Sequence, residues 1–103
     1  EIAALNDYAR YSLTGCMLLL TPGIMRMPPD ERELVLTKVR NFSQFTPEMD
    51  PRGEHDFGEF DHGGQRIFWK FDYQDWRGMW QAPDPTDRRA TRRLLTILLA
   101  EEY

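Results

Sequence analysis

A single cysteine, Cys16, is too few for an internal disulfide. The fold must therefore be held by packing, and the composition suits a reducing compartment such as the cytoplasm. Long apolar runs are missing too: Met17-Leu18-Leu19-Leu20 falls far short of the ~20 residues of a membrane span, so no membrane partner is expected. Basic residues are outnumbered, 13 Lys and Arg against 17 Asp and Glu, which leaves a net charge of −4. That balance argues against a dedicated nucleic-acid binder, although the distribution of charge matters more than the total. No Gly-x-Ser-x-Gly elbow and no phosphate loop are present. The chain opens at Glu1 with no methionine and no signal-peptide layout, so its natural start is expected upstream.

What is present is a chain of 103 residues with 41% hydrophobic and 13% aromatic content. This is enough for one core and one domain over residues 1–103. The stretch from Gly53 to Trp76 organises the rest. Gly63-Gly64 separates two runs rich in Phe, Ile, Trp and Tyr, and paired glycines tolerate the positive φ of a tight hairpin turn. That turn sets a register in which Asp61 faces Arg66, Phe60 faces Ile67, Glu59 faces Phe68, Gly58 faces Trp69 and Phe57 faces Lys70. Continued outward, it sets Asp56 against Phe71 and His55 against Asp72. Alternation then sorts the side chains. Phe60, Ile67, Trp69, Phe71 and Tyr73 form a core face, with Gly58 leaving room for the Trp69 ring. Asp56 shares that face, where desolvation pushes a carboxyl upward. Phe57 and Phe68 fall on the polar face, so something is expected to cover them.

Around the hairpin, Glu1 to Leu13 reads as a helix with Ile2, Leu5, Ala9 and Leu13 inward and Asn6, Asp7 and Arg10 outward. Cys16 to Thr21 reads as a buried strand, and Pro22-Gly23 as a turn. Met25 and Met27 read as core filler. Pro28-Pro29-Asp30-Glu31 opens a second helix whose inner face is Leu34, Val35, Val39 and Phe42. Arg77 to Pro85 reads as irregular, anchored by Trp80. The final segment, 88–102, fits a helix with Ala90, Leu94, Ile97 and Leu98 in a stripe. Leu94 to Leu99 also fits a buried strand. With the helical reading, the fold class is α+β: helix, strand, helix, β-hairpin, helix, with a small three-stranded sheet packed by helices.

Two constellations carry chemistry. His55 with Asp56 or Asp72 is a candidate acid–base pair of a small hydrolase, against the blander reading of a structural polar network. His55 and His62 lie roughly 20 Å apart along one strand by strand rise, so they cannot share a metal ion. No metal site and no cofactor is called for. Arg88, Arg89, Arg92 and Arg93 form the one basic cluster. It either answers the acidic stretch Glu48, Asp50, Glu54, Asp56, Glu59 and Asp61, or offers an outward face to phosphate or an acidic partner.

Asn6-Asp7-x-x-Arg10, Leu13-Thr14-Gly15, Phe45-Thr46-Pro47, Asp50-Pro51-x-Gly53-Glu54-His55-Asp56-Phe57-Gly58, Phe68-Trp69-Lys70-Phe71-Asp72-Tyr73, Asp84-Pro85 and the run from Leu95 to Tyr103 together resemble a family of small alphaproteobacterial proteins, domain of unknown function 3768. The resemblance spans nearly the whole chain, and Glu54-His55-Asp56-Phe57-Gly58 is its most specific part. It implies a bacterial cytoplasmic protein carried near plasmid or mobile-element genes, with a C-terminus at or near the natural one. It brings no activity with it. Similar proteins tend to have Tyr-Tyr-Asp where this chain has Tyr73-Gln74-Asp75. The expected function is a non-enzymatic interaction module for a protein or nucleoprotein partner, in maintenance or counter-defence, with Phe57, Phe68 and the arginine cluster as binding residues. The alternatives are the His/Asp hydrolase and nucleic-acid binding through the arginines.

Overall fold

Gly63 and Gly64 reverse the chain, at φ 57° and 81°, in the computed structural model of the protein, which describes residues 1–75, 84–87 and 90–103. The expected anchor Trp80 and the two arginines Arg88 and Arg89 lie outside the described residues.

The elements run α1 (Ile2–Ser12), β1 (Met17–Leu20), α2 (Pro22–Met25), α3 (Pro29–Arg40), β2 (Phe57–His62), β3 (Gln65–Gln74) and β4 (Arg92–Leu99), closed by a 3-10 turn at Ala100–Glu102. The hairpin register follows the glycine turn from His62 opposite Gln65 to Phe57 opposite Lys70. Its core face is as expected. Ile67, Trp69 and Phe71 are buried against Ala9, Val35, Val39 and Phe42 from the helical side, with Phe60 and Tyr73 packed at the margin. Gly58 lies under the Trp69 ring; a Cβ there would sit 2.4 Å from Trp69 Nε1. That indole N–H is buried without an acceptor, so Trp69 is placed by shape and ring contacts rather than by a hydrogen bond.

The sheet has four strands in the order β1-β4-β3-β2, not three. β4 lies antiparallel to β3 and parallel to β1. The segment expected to be helical is thus an interior strand. A strand buried on both faces shows no alternation, so Leu94-Leu95-Thr96-Ile97-Leu98-Leu99 meets a helical stripe and a strand equally well. Burial settles it: Leu95, Ile97, Leu98 and Leu99 all lie in the interior.

Five further expectations are corrected. On α1, Asn6 and Arg10 point inward and are buried, because the interior offers them acceptors. Leu34 of α3 is exposed, leaving Val35, Val39 and Phe42 as the inner face. Among the described residues β1 is an edge strand rather than a buried one: there it pairs only with β4, and Met17, Leu18 and Leu19 are 46%, 40% and 49% exposed. Pro22-Gly23 opens α2 instead of a bare turn, and Met25 is exposed, not core filler. The exit of β1 is pinned by Glu102. Its carboxylate accepts from Thr21 Oγ1 at 2.6 Å and from the N–H groups of Gly23 and Leu99 at 2.9 Å. The Thr21 hydroxyl foremost, with these amides, holds the Glu102 carboxyl below its ordinary value.

Gly58→Ala should lower stability by about 1–3 kcal/mol, the usual cost of overpacking, read as a lower urea midpoint. A loss under about 0.5 kcal/mol, the size of an ordinary surface change, would show that the indole is not seated on that glycine.

Candidate functional site

The candidate acid–base histidine is placed by its own backbone. Asp50 accepts the N–H groups of Glu54 and His55 on its carboxylate, at 3.0 and 3.2 Å. Gly53 and His55 both take positive φ, 65° and 54°. Glycine adopts that region freely, and histidine does so more readily than bulky or β-branched residues. The strand alternation therefore stops at Asp56, whose carbonyl still accepts the Phe71 N–H at 2.9 Å, and His55 turns off the sheet.

The imidazole points to α1. Nδ1 lies 2.9 Å from Asp7 Oδ1, Nε2 lies 3.7 Å from Asp50 Oδ2, and the ring stacks on Phe45 at 3.9 Å and 3°. Asp72 instead pairs with Lys70 at 3.2 Å. The expected pairing of His55 with Asp72 is thus replaced by Asp7, a residue far away in sequence that strand periodicity could not reveal. Asp56 remains half-buried at the hairpin base. Desolvation above all raises its carboxyl, Asp50 and Asp72 add to the rise, and Arg52 and its own backbone amide oppose it.

Behind His55 lies a buried polar junction. Arg10 donates from Nε to the Val39 carbonyl at 3.0 Å and from Nη2 to the Phe42 carbonyl at 2.9 Å, which satisfies the C-terminal end of α3. Its guanidinium lies over Trp69 and Phe45, 4.8 and 5.4 Å from the ring centres, and Nη1 reaches Asp7 at 3.2 Å. Desolvation lowers the Arg10 value and Asp7 counters it. Asn6 donates to Tyr73 Oη and the Glu54 carbonyl and accepts from Arg93 Nε. The histidine is held by three residues, Asp7, Asp50 and Phe45, and Asp7 is in turn held by Arg10. His62, the other histidine, bridges Glu31 and Lys38 of α3. Among the described residues, no group of three or more His, Cys, Asp or Glu is placed to hold a metal ion. No helix among them is long and apolar enough to cross a membrane.

The expected binding residues are dispersed. Phe57 and Phe68 meet edge to face at 5.3 Å, and Tyr103 from the C-terminus closes on Phe68 at 5.6 Å. Among the described residues, the aromatic neighbours of these two rings are each other and the chain's own tyrosine. Arg93 is buried, bonded to Asn6 and the Pro85 carbonyl, and half-buried Arg92 rests on Met17. Glu59 and Asp61 of the acidic stretch are engaged by Arg66.

Sequence reading missed the outer edge of β1, where three consecutive apolar residues are exposed. Met17, Leu18 and Leu19 lie there, and Tyr8 and Tyr11 of α1 are also exposed. Between α1 and the starts of β1 and β4 opens a cleft of about 910 Å³. An apolar run without alternation looks alike in an edge and in an interior strand, so only its place in the sheet order distinguishes the two.

Arg10→Met should cost about 3 kcal/mol or more, because the Phe42 carbonyl loses its buried donor and the Val39 carbonyl is left with the Phe42 N–H; urea unfolding measures it, and a loss below about 1 kcal/mol would contradict the junction's role. Asp56→Asn tests the raised carboxyl. The folded chain holds that proton more tightly, so its contribution is full below the unfolded value of about 3.9 and is lost as pH rises through the folded value. The asparagine variant should gain in thermal midpoint over the wild type as pH rises from about 3 to about 7, and a constant difference would refute the shift.

The chain matches the profile of a family described as "Protein of unknown function (DUF3768)" over residues 20–102. No curated protein and no solved structure matches it.

Proposed function

This chain belongs to the DUF3768 family, and we propose that it works as a non-enzymatic interaction module that takes up an extended segment of a protein partner along β1. The open edge of that strand carries the reading. The Thr21 N–H donates to the Ile97 carbonyl at 3.2 Å. Backbone groups alternate sides along a strand, so Met17 and Leu19 also direct theirs toward β4, while Leu18 and Leu20 direct theirs outward. Unpaired strand edges are usually blunted by charge, proline or a bulge. Met17–Leu20 has no charge and no proline. An extended peptide satisfies such an edge with main-chain hydrogen bonds, and the exposed leucines and Met17 give it apolar contacts. The likeness to small proteins encoded near mobile-element genes supports an accessory role in maintenance or counter-defence, with a nucleoprotein as one form of the partner.

The hydrolase reading draws on the Asp7–His55 pair, which has the spacing of an oriented base. The imidazole of this partly exposed pair is also braced by Phe45 and Asp50, which favours positioning of the loop over chemistry. The nucleic-acid reading draws on Arg92 and on Arg88 and Arg89.

Leu18→Pro separates strand addition from simple stickiness. Proline removes an outward N–H and is tolerated on an edge, so the fold should keep its thermal midpoint. Immobilised wild-type chain should retain a specific protein from a bacterial lysate, and Leu18→Pro should cut its recovery about tenfold or more. Equal recovery by both chains, or no specific protein at all, would refute strand addition; sedimentation of the purified chain shows whether the partner is a second copy.

A further inference from the structure

The cleft beside β1 has a chemistry of its own, separate from the strand edge. Its described lining runs from Leu5, Tyr8 and Ala9 on α1, through Thr14 to Met17, to Thr91, Arg92 and Arg93 at the start of β4. None of these residues is acidic and two are arginines. The volume of about 910 Å³ lies within the range of small-molecule sites, about 300–1,000 Å³. We propose that this cleft binds an aromatic carboxylate, with the ring between Tyr8, Leu5 and Met17 and the carboxylate on Arg92.

Arg92 is the group that selects the ligand. Its Nε and Nη2 lie 3.0 and 2.8 Å from Met17 Sδ, and a thioether is a weak acceptor. Among the described residues it makes no ion pair with a carboxylate. A planar guanidinium whose bonds among the described residues go to sulfur offers parallel donors to a carboxylate, and such charge-assisted pairs are about twice as strong as neutral ones. Exchanging sulfur for oxygen costs little, because the Met17 side chain moves freely on three rotatable bonds. Arg93 adds a fixed positive charge behind the site, held in place through Asn6 Oδ1 at 2.9 Å. The Cys16 thiol stays neutral because burial raises it, against the pull of Arg93, so it does not repel an anion. Tyr8, largely exposed at the mouth, supplies an aromatic face for an offset or edge contact with the incoming ring.

Titration calorimetry of the whole chain with 2-naphthoate and its neutral counterpart 2-naphthalenemethanol tests the site without any variant. The carboxylate should bind at least about tenfold more tightly than the alcohol, the difference expected of one charge-assisted hydrogen-bonded pair. Arg92→Gln should remove that preference and leave the alcohol's weaker binding in place. Thr14→Trp, an exposed substitution at the rim, should abolish binding of both. Equal affinity for acid and alcohol, no binding of either, or a preference that survives Arg92→Gln would each overturn the proposal. None of these results bears on strand addition, which the Leu18→Pro comparison decides separately.

Discussion

One buried cation joins the layers of this protein. Arg10 sits on α1, satisfies two carbonyls at the end of α3 and lies over the indole of Trp69 in the sheet. Each contact answers a different cost. The carbonyls at a helix end need donors, the guanidinium needs acceptors once it leaves water, and the rings provide a face that stabilises the charge. Because the partners come from two helices and a strand, the guanidinium fixes their relative placement as well as their stability. The Asp7 carboxylate, one face removed, extends the same junction to His55 and so to the loop that leads into the hairpin.

That loop is where local conformation overrules the sheet. Two positive φ angles, at Gly53 and His55, and the Asp50 carboxylate on successive amides bend the chain just before β2. The imidazole is carried to α1 and Phe45, and a histidine that strand alternation would place across from Asp72 becomes a brace between elements. This ring, with Asn6 on the Glu54 carbonyl and Tyr73, couples the base of the hairpin to the helical layer. The apolar edge of β1 and the cleft beside it lie on the opposite border of the sheet, away from β2 and outside the brace. Among the described residues, one border of the sheet is braced by a polar network and the other is an edge strand, with Arg93 linking the network to the cleft through Asn6.

Edges and interiors separate here for a physical reason. β4 needs apolar side chains on both faces because it lies between β1 and β3. β1 has the same kind of residues but only one neighbour among the described strands, and part of its apolar surface is exposed. Glu102 ties the two strands at their shared end through Thr21, Gly23 and Leu99. This keeps the open strand in register although one of its sides is unsupported.

The residues near the turn carried their own instructions. Gly63-Gly64, the alternation of Phe60, Ile67, Trp69 and Phe71, and the space left by Gly58 define a register through interactions between near neighbours, and such interactions are written in the order of the residues. The opening of α3 by proline and acidic residues is local in the same way. What only the tertiary structure decided depends on groups distant in the chain. A polar residue on α1 faces inward when another element offers it acceptors, as Val39, Phe42, Glu54 and Tyr73 do for Arg10 and Asn6. An apolar run becomes interior or edge according to how many strands flank it, a number that no residue within the run encodes. The partner of His55, the burial of β4 and the openness of β1 are all of this second kind, which is why the candidate site emerged from the fold and the hairpin from the sequence.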